Sequence, residues 1–464
     1  MANTLDLSAR LATARLKDNR GTGALDVFAL AAFAVTSWVA FVVASGTWMF
    51  VQRHEHPLPW LVAASPYGTE NVTQTYVVLA GFACAVLILP ILGLGGAAAR
   101  LGARGRARWL ASLRLIGMTR TEVVGMSVVE SLIQAAAGLV LGVGLWLAST
   151  PLLGLLSFQR QHLGFSELLM PWWLWLAVAA AVLLLAALST IGGLTRVRIS
   201  PLGVARQTSS APLRAWRLGA LAGGIAVILS LGTVLDLPLG GMVVGLVFAG
   251  VLAFGIFLTN LFAPFLLQLV GRVGVRTESP ARLIAMRRIV ADPRSAWRNV
   301  SSLGLIGFIV GLLSTIPLGS FDDLDEIGRM QWSDVRAGAW LTFGIALVLG
   351  ATATALTQSS DVVDRADELV ALDRMGVSPQ VDAAARRHQV LLPLTATLVT
   401  SMGLGVLAAL PLVGVLEGAL GMGAASVLVL GGSLLVALVL SLIAAESTRP
   451  LRARVLGSVT RRND

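Results

Sequence analysis

The 464-residue chain is too apolar for an ordinary soluble protein. Hydrophobic residues make up 56% of it and charged residues 13%, whereas about a quarter of the residues in a soluble domain are charged. The formal net charge is +10, but the basic residues cluster between hydrophobic runs without interleaved aromatic residues, which argues against nucleic acid as a partner. The single cysteine, Cys84, excludes a disulfide within the chain and a cysteine metal cluster. The composition therefore indicates a membrane protein.

Ten hydrophobic runs are long enough to cross a bilayer, because about 20 apolar residues in a helix span a hydrocarbon core of roughly 30 Å. The predicted spans are 27–50, 76–99, 122–148, 172–195, 218–236, 240–270, 300–317, 337–357, 388–412 and 420–445. If the N-terminus is cytoplasmic, the outer side holds four basic residues, Arg53, Arg160, Arg329 and Arg336, and the other basic residues lie inside. The positive-inside rule therefore predicts a multi-pass protein with both termini in the cytoplasm. Arginine far outnumbers lysine, and this composition favours a bacterial plasma membrane protein.

Three short sequence patterns occur twice in the same order, which indicates an internal duplication. Residues 9–15 resemble 281–287, residues 110–119 resemble 369–378, and residues 198–202 resemble 449–451. The predicted fold is an all-α polytopic membrane helix bundle of ten transmembrane helices, in which two four-span repeats flank a two-span linker. We place the first repeat, with an N-terminal amphipathic helix, at 1–210, the linker at 211–275 and the second repeat at 276–464. An even number of linker spans gives both repeats the same orientation, so they can face each other.

Each repeat is predicted to carry a short cytoplasmic helix, at 105–118 and at 362–377. In the first, three apolar residues share one face and a glycine ends the helix by adopting a conformation that is costly for other residues. The residues of the duplicated pattern are Leu110, Leu113, Ile116 and Gly117 in the first helix and Leu369, Leu372, Met375 and Gly376 in the second. Such an apolar face fits a groove on a partner, or it packs against the chain's own spans or lipid headgroups. Arginines flank the first helix and carboxylates flank the second, so the two contacts are expected to be unequal.

The stretch from Leu110 to Gly138 resembles the FtsX-like permeases, in which a coupling helix and a glycine turn precede a long span with an acidic residue near its start. The ten-span layout is similar to the subgroup that carries both repeats on one polypeptide. Members of the family usually have a large extracytoplasmic domain, but the outer loops here are short. The resemblance implies an ABC transporter permease that binds two copies of an ATPase subunit and membrane lipids, with an accessory extracytoplasmic or lipoprotein partner as a further option. ATP and Mg²⁺ would be held by the ATPase.

The chain is not expected to hydrolyse ATP itself. A phosphate-binding loop of the usual kind requires a lysine, and Lys17, the only lysine, lies outside any such motif. We expect the partner ATPases to drive the export or extraction of a hydrophobic or amphipathic substrate that enters from the membrane. A signalling module that acts on a cell-wall hydrolase or sensor kinase is an alternative. A secondary transporter is another, although paired charges within the spans would be typical of one.

Three polar residues within the predicted spans are candidates for a functional role. Glu130 lies early in the third span, Gln134 follows one turn later on the same face, and Gln389 is the repeat counterpart of Glu130. A carboxylate at this depth needs a partner or water. Either these residues link helices or line a substrate route, or Glu130 pairs with an arginine for packing. The segment 54–56 offers two histidines and one glutamate, too few ligands for a good metal site, so no metal or cofactor is expected on this chain.

Overall fold

The computed structural model describes residues 22–65, 68–105, 119–196, 215–230, 241–314, 325–364, 371, 374–413 and 424–446. This part of the chain is almost entirely α-helical. The helices are α1 (Thr22–Glu55), α2 (Pro59–Ala64), α3 (Thr69–Gly105), α4 (Arg120–Leu153), α5 (Phe165–Leu168), α6 (Trp172–Arg196), α7 (Trp216–Ser230), α8 (Gly241–Gly274), α9 (Pro280–Ala291), α10 (Pro293–Leu313), α11 (Glu326–Asp364), α12 (Pro379–Val413) and α13 (Ala424–Glu446). Strands β1 (Ser157–Phe158) and β2 (Gln161–His162) form an antiparallel hairpin between α4 and α5.

Seven helices are long and apolar enough to cross a membrane, namely α1, α3, α4, α6, α8, α11 and α12. They coincide with seven of the ten predicted spans, so the all-α membrane bundle is confirmed. The three other predicted spans fall on α7, α10 and α13, whose apolar stretches are shorter within the described residues. The count of ten spans therefore stays a prediction.

The helices pack as two four-helix units joined by a pair of further helices. In the first unit, α1 packs against α3 and α4, and α6 packs against the same two helices. In the second unit, α10 packs against α11 and α12, and α13 packs against these two. The order of neighbours is therefore the same in both units when α1, α3, α4 and α6 are matched in turn to α10, α11, α12 and α13. A duplication predicts this order, but the boundaries at 210 and 275 rest on the sequence alone.

The two units meet mainly through α11, which packs against α3 and α1 of the first unit. Helices α3 and α11 are the second predicted spans of their repeats. The contact between the units thus includes a pair of counterpart helices, α3 and α11. It is not symmetric, because α11 also packs against α1 whereas α10 makes only a small contact with α3. The linker helices α7 and α8 belong to the second unit by contact, because both pack against α12 and α8 also packs against α10.

Glycines bring α1 and α4 into close contact. A Cβ atom at Gly138 would collide with the side chain of Phe33, and one at Gly142 would lie 2.5 Å from Cβ of Ser37. The corresponding helices of the second unit approach in the same way, because Gly311 of α10 lies against the backbone of α12. Small residues allow helix backbones to approach in a membrane, where packing replaces the hydrophobic effect as the driving force. The two helices of each pair are therefore held together as one body.

Replacement of Gly142 by leucine is expected to destabilise the chain by about 1 to 3 kcal/mol, the usual cost of overpacking. The Tm of the purified chain in detergent should fall accordingly. Gly144 on the same helix has open space around it, so Gly144→Leu carries the same gain in helix propensity without the collision. Equal losses of Tm for the two variants would contradict the close contact.

Candidate functional site at the two ends of the helix units

Two of the predicted polar residues lie in the interior of the first unit. Gln134 of α4 donates a hydrogen bond from Nε2 to Oδ1 of Asp26 on α1, at 2.8 Å. Glu130, one turn earlier, is 3% exposed, and Ser127 and Ser131 beside it in sequence are fully buried. These residues therefore form a polar patch on α4, and the hydrogen bond from Gln134 to Asp26 joins α4 to α1.

The third predicted residue, Gln389, lies on α12 of the second unit. Its Oε1 accepts a hydrogen bond from Nη1 of Arg288 on α9, at 3.3 Å. Pairing with an arginine was one of the alternatives predicted for Glu130. In the second unit an arginine, Arg288, is hydrogen-bonded to Gln389, the repeat counterpart of Glu130. A transport role for these three polar residues stays a prediction.

The Asp26–Gln134 hydrogen bond should be measurable as a coupling free energy between α1 and α4. We expect the cycle of Asp26→Ala, Gln134→Ala and the double variant to give about 0.6 kcal/mol, and no more than about 1.7 kcal/mol, the range of hydrogen bonds within membranes. Unfolding by titration with SDS provides the measurement. As a control, Gln134→Ala should be additive with Glu122→Ala, an exposed residue of the same helix. A cycle without coupling would mean that the hydrogen bond is absent in the membrane.

The predicted coupling helices lie mostly outside the described residues, which include neither Leu110, Leu113, Ile116 and Gly117 nor Leu369 and Leu372. Two of the four candidate residues of the second helix are described. Met375 is 70% exposed, and Gly376 has a φ of +78° in the turn that follows. This left-handed conformation favours glycine and is typical of a helix end. The exposure of Met375 suits a contact with a partner, but the contact with an ATPase stays a prediction.

The span that follows each predicted coupling helix begins with a side-chain cap. Thr119 and Glu122 form a capping box at the start of α4, in which Thr119 Oγ1 accepts a hydrogen bond from the Glu122 amide at 3.4 Å. At the start of α12, Ser378 Oγ accepts a hydrogen bond from the Val381 amide at the same distance. Thr119 and Ser378 are partners in the duplicated pattern. The caps satisfy backbone N–H groups and fix where each span begins.

The opposite end of the bundle carries a tight turn with strained backbone. We call it the hairpin end, because the β1–β2 hairpin lies there beside the end of α1 and the start of α11. The two turn residues, Gln159 and Arg160, have φ values of +53° and +59°. Two-residue hairpins of this kind need positive φ at both positions and are usually formed by Asn-Gly, since other residues pay a steric cost. Glutamine and arginine are therefore held there against their conformational preference.

The turn joins the first unit to the second. Asp334 of α11, 6% exposed, accepts two hydrogen bonds at Oδ2, from Tyr76 Oη of α3 at 2.5 Å and from the Gln159 amide at 2.7 Å. Arg160 forms an ion pair with Glu326 at the start of α11, with 2.6 Å between Nη1 and Oε1. In both contacts the first unit supplies the donors and the second unit supplies the carboxylate.

Further contacts fix the hairpin to the first unit. Arg53 at the end of α1 is 4% exposed. Its Nη1 donates to the carbonyl of Phe158 at 2.8 Å and its Nη2 to Glu167 Oε2 at 2.6 Å. Trp60 Nε1 donates to the carbonyl of Gln159 at 3.2 Å. We define the hairpin-end cluster as Arg53, Trp60, Tyr76, Gln159, Arg160, Glu167, Glu326 and Asp334.

Sequence reasoning did not find the hairpin-end cluster. Arg53 and Arg160 entered the prediction only as two of the few basic residues on the outer side. In the structure each of them is ion-paired to a glutamate. Two of the four arginines predicted on the outer side, Arg53 and Arg160, are thus ion-paired within the chain. His54 lies 2.8 Å from Thr73 Oγ1 through its Nδ1, and the described residues contain no group of three or more His, Cys, Asp or Glu placed to hold a metal.

The arrangement of long apolar helices defines a multi-pass helical membrane protein. Residues 80–201, about a quarter of the chain, match the family model for the FtsX-like permease C-terminal domain, and the match supports assignment to the FtsX-like permeases, which are membrane subunits of ABC transporters. Comparisons with curated proteins and with solved structures gave no match. The matched segment spans most of α3, all of α4 and α6, and the residues between α3 and α4.

Proposed function

We propose that the chain is the membrane-spanning permease subunit of an ABC transporter, in which two separate ATPase subunits hold ATP and Mg²⁺ and drive the export or extraction of a hydrophobic or amphipathic substrate. The observation that carries the proposal is the family match at residues 80–201. That segment includes the predicted coupling helix at 105–118 and the two helices on either side of it. In the proposed orientation both termini are cytoplasmic and the hairpin end lies outside.

The two-fold stoichiometry is supported by the order of helix contacts, which is the same in both units. Each unit would present one coupling helix, followed by a capped span. Because the caps at Thr119 and Ser378 fix the start of α4 and α12, a push on either coupling helix acts directly on the span that follows. The flanking charges differ between the two helices, so the ATPase contacts are proposed to differ in strength.

The path of the movement follows from packing. In the first unit α4 is joined to α1 by close contact at Gly138 and Gly142 and by the hydrogen bond from Gln134 to Asp26. A push at the start of α4 would therefore move α1 and α4 together as a rigid body against neighbouring helices. Closely packed helices transmit such shifts because tight packing resists gradual deformation.

The coupling contact is tested by charge substitution on the apolar face of each predicted helix. We expect Leu113→Asp and Leu372→Asp each to cost about 2 kcal/mol of ATPase affinity, roughly 30-fold, as for a central interface residue. The measurement is co-purification with the ATPase encoded by the neighbouring gene. Leu155, 73% exposed at the hairpin end, provides a matched control, since Leu155→Asp should leave ATPase binding unchanged. Full binding and activity in both coupling variants would overturn the proposal.

The substrate class is tested separately with the assembled complex. Lipids or amphipathic peptides should stimulate ATP hydrolysis, because a substrate that enters from the bilayer needs no charged route through the spans. Stimulation by polar solutes alone would contradict this substrate class. A co-purifying kinase or cell-wall hydrolase, together with no transport in vesicles, would favour the signalling function.

A further inference from the structure

The hairpin-end cluster ties the two helix units together at the end opposite the predicted coupling helices. We propose that it is a reversible lock, which holds the units together in the state described here and opens when they separate at that end. The proposal does not depend on the ATPase partner, because every contact on which it rests lies within this chain.

The contacts that cross between the units converge on a short segment of α11. One carboxylate oxygen of Asp334 receives both the Tyr76 hydroxyl and the Gln159 amide, and Glu326 two turns earlier receives Arg160. An apolar contact of Leu61 and Tyr76 with Met330 lies between them. These crossing contacts all involve the first turns of one helix, so a small movement of the start of α11 would break them together.

A buried polar group in the hairpin opposes closure of the lock. The Gln159 side chain is 1% exposed, and neither atom of its amide has a hydrogen-bond partner among the described residues. An amide buried in this way is destabilising relative to one in water. Opening of the lock would hydrate that amide, so the crossing hydrogen bonds are opposed by the cost of burying it.

The polar character of the contact also suits a joint that opens. Hydrogen bonds at a water-facing end of a bundle can be replaced by hydrogen bonds to water when the surfaces part, and interfaces between mobile domains are more polar than permanent ones. The Arg160–Glu326 pair is about half exposed and is already in contact with solvent.

The lock is connected to the body that is proposed to move. Arg53 binds the carbonyl of Phe158 in the hairpin, so the hairpin follows the end of α1. Helix α1 in turn is held to α4 at Gly138 and Gly142. A shift of α4 would thus displace the turn relative to Asp334. The lock is therefore placed where a movement that begins at the other end of α4 would release it.

Distances measured by double electron–electron resonance on the full chain in lipid nanodiscs test the lock without any ATPase. Spin labels are placed by cysteine substitution at His162 and Arg329, exposed residues of the two units, in a Cys84→Ser background. We expect one dominant short distance for the otherwise unchanged chain. The variant with Asp334→Asn and Arg160→Gln should lose population from this peak to longer distances.

A variant in the opposite direction makes the test sharper. Gln159→Met keeps the size of the side chain but removes the buried amide, so it should raise the population at the short distance. The control variant Glu70→Gln removes an exposed acid at the same end and should leave the distribution unchanged. A label pair within the first unit, at Asn71 and His162, should be unaffected by all three variants.

Two results would overturn the proposal. An unchanged distribution between His162 and Arg329 in the Asp334→Asn, Arg160→Gln variant would mean that these contacts do not hold the units together. Equal broadening of the pair at Asn71 and His162 would mean that the substitutions disorder the hairpin and do not open a contact between units.

Discussion

The close contact between α1 and α4 is the constraint on which the rest of the molecule depends. Within a bilayer the chain cannot rely on the hydrophobic effect to hold helices together, so shape and internal hydrogen bonds must do so. Gly138 and Gly142 supply the shape by letting Phe33 and Ser37 approach the helix axis, and Gln134 supplies a hydrogen bond to Asp26. Helix α4 begins with the cap that follows the predicted coupling helix. Near the end of helix α1, Arg53 binds the hairpin through the carbonyl of Phe158. One rigid pair therefore connects the two ends of the first unit.

The sequence was sufficient for features that depend on local periodicity or length. Seven predicted spans coincide with long apolar helices, because a stretch of apolar residues of bilayer length has few other stable conformations. Gly376 has the left-handed φ that was expected of its counterpart Gly117 at the end of the first predicted coupling helix. The caps at Thr119 and Ser378 were not predicted. The partners of Gln134 and Gln389 did not follow, because Asp26 and Arg288 are each about a hundred residues away in sequence. Neither did the contact of Tyr76 with Asp334, which no pattern along the chain encodes.

The order of helix packing is the same in the two units, but their polar contacts differ. Glu130 and Gln389 occupy matching positions, yet the chain has an acid in one repeat and an amide bound by Arg288 in the other. The strained hairpin belongs to the first unit and meets the helix of the second that is the counterpart of α3. The predicted duplication within one polypeptide would allow such differences, because each copy could change without altering the other. The two units thus have the same order of helix packing and different polar contacts.

The position of α7 and α8 gives the two units different exposure to lipid. Both helices pack against α12, which is the counterpart of α4. On α4 itself the side chains of Val140, Leu141 and Leu145 are 69%, 49% and 43% exposed, so in a bilayer they face acyl chains directly. Within the described residues α4 therefore exposes more of its apolar surface than α12, which also packs against α7 and α8. A change in lipid composition would therefore reach α4 over a larger surface than α12, so the surrounding bilayer would act unequally on two units that share one order of helix packing.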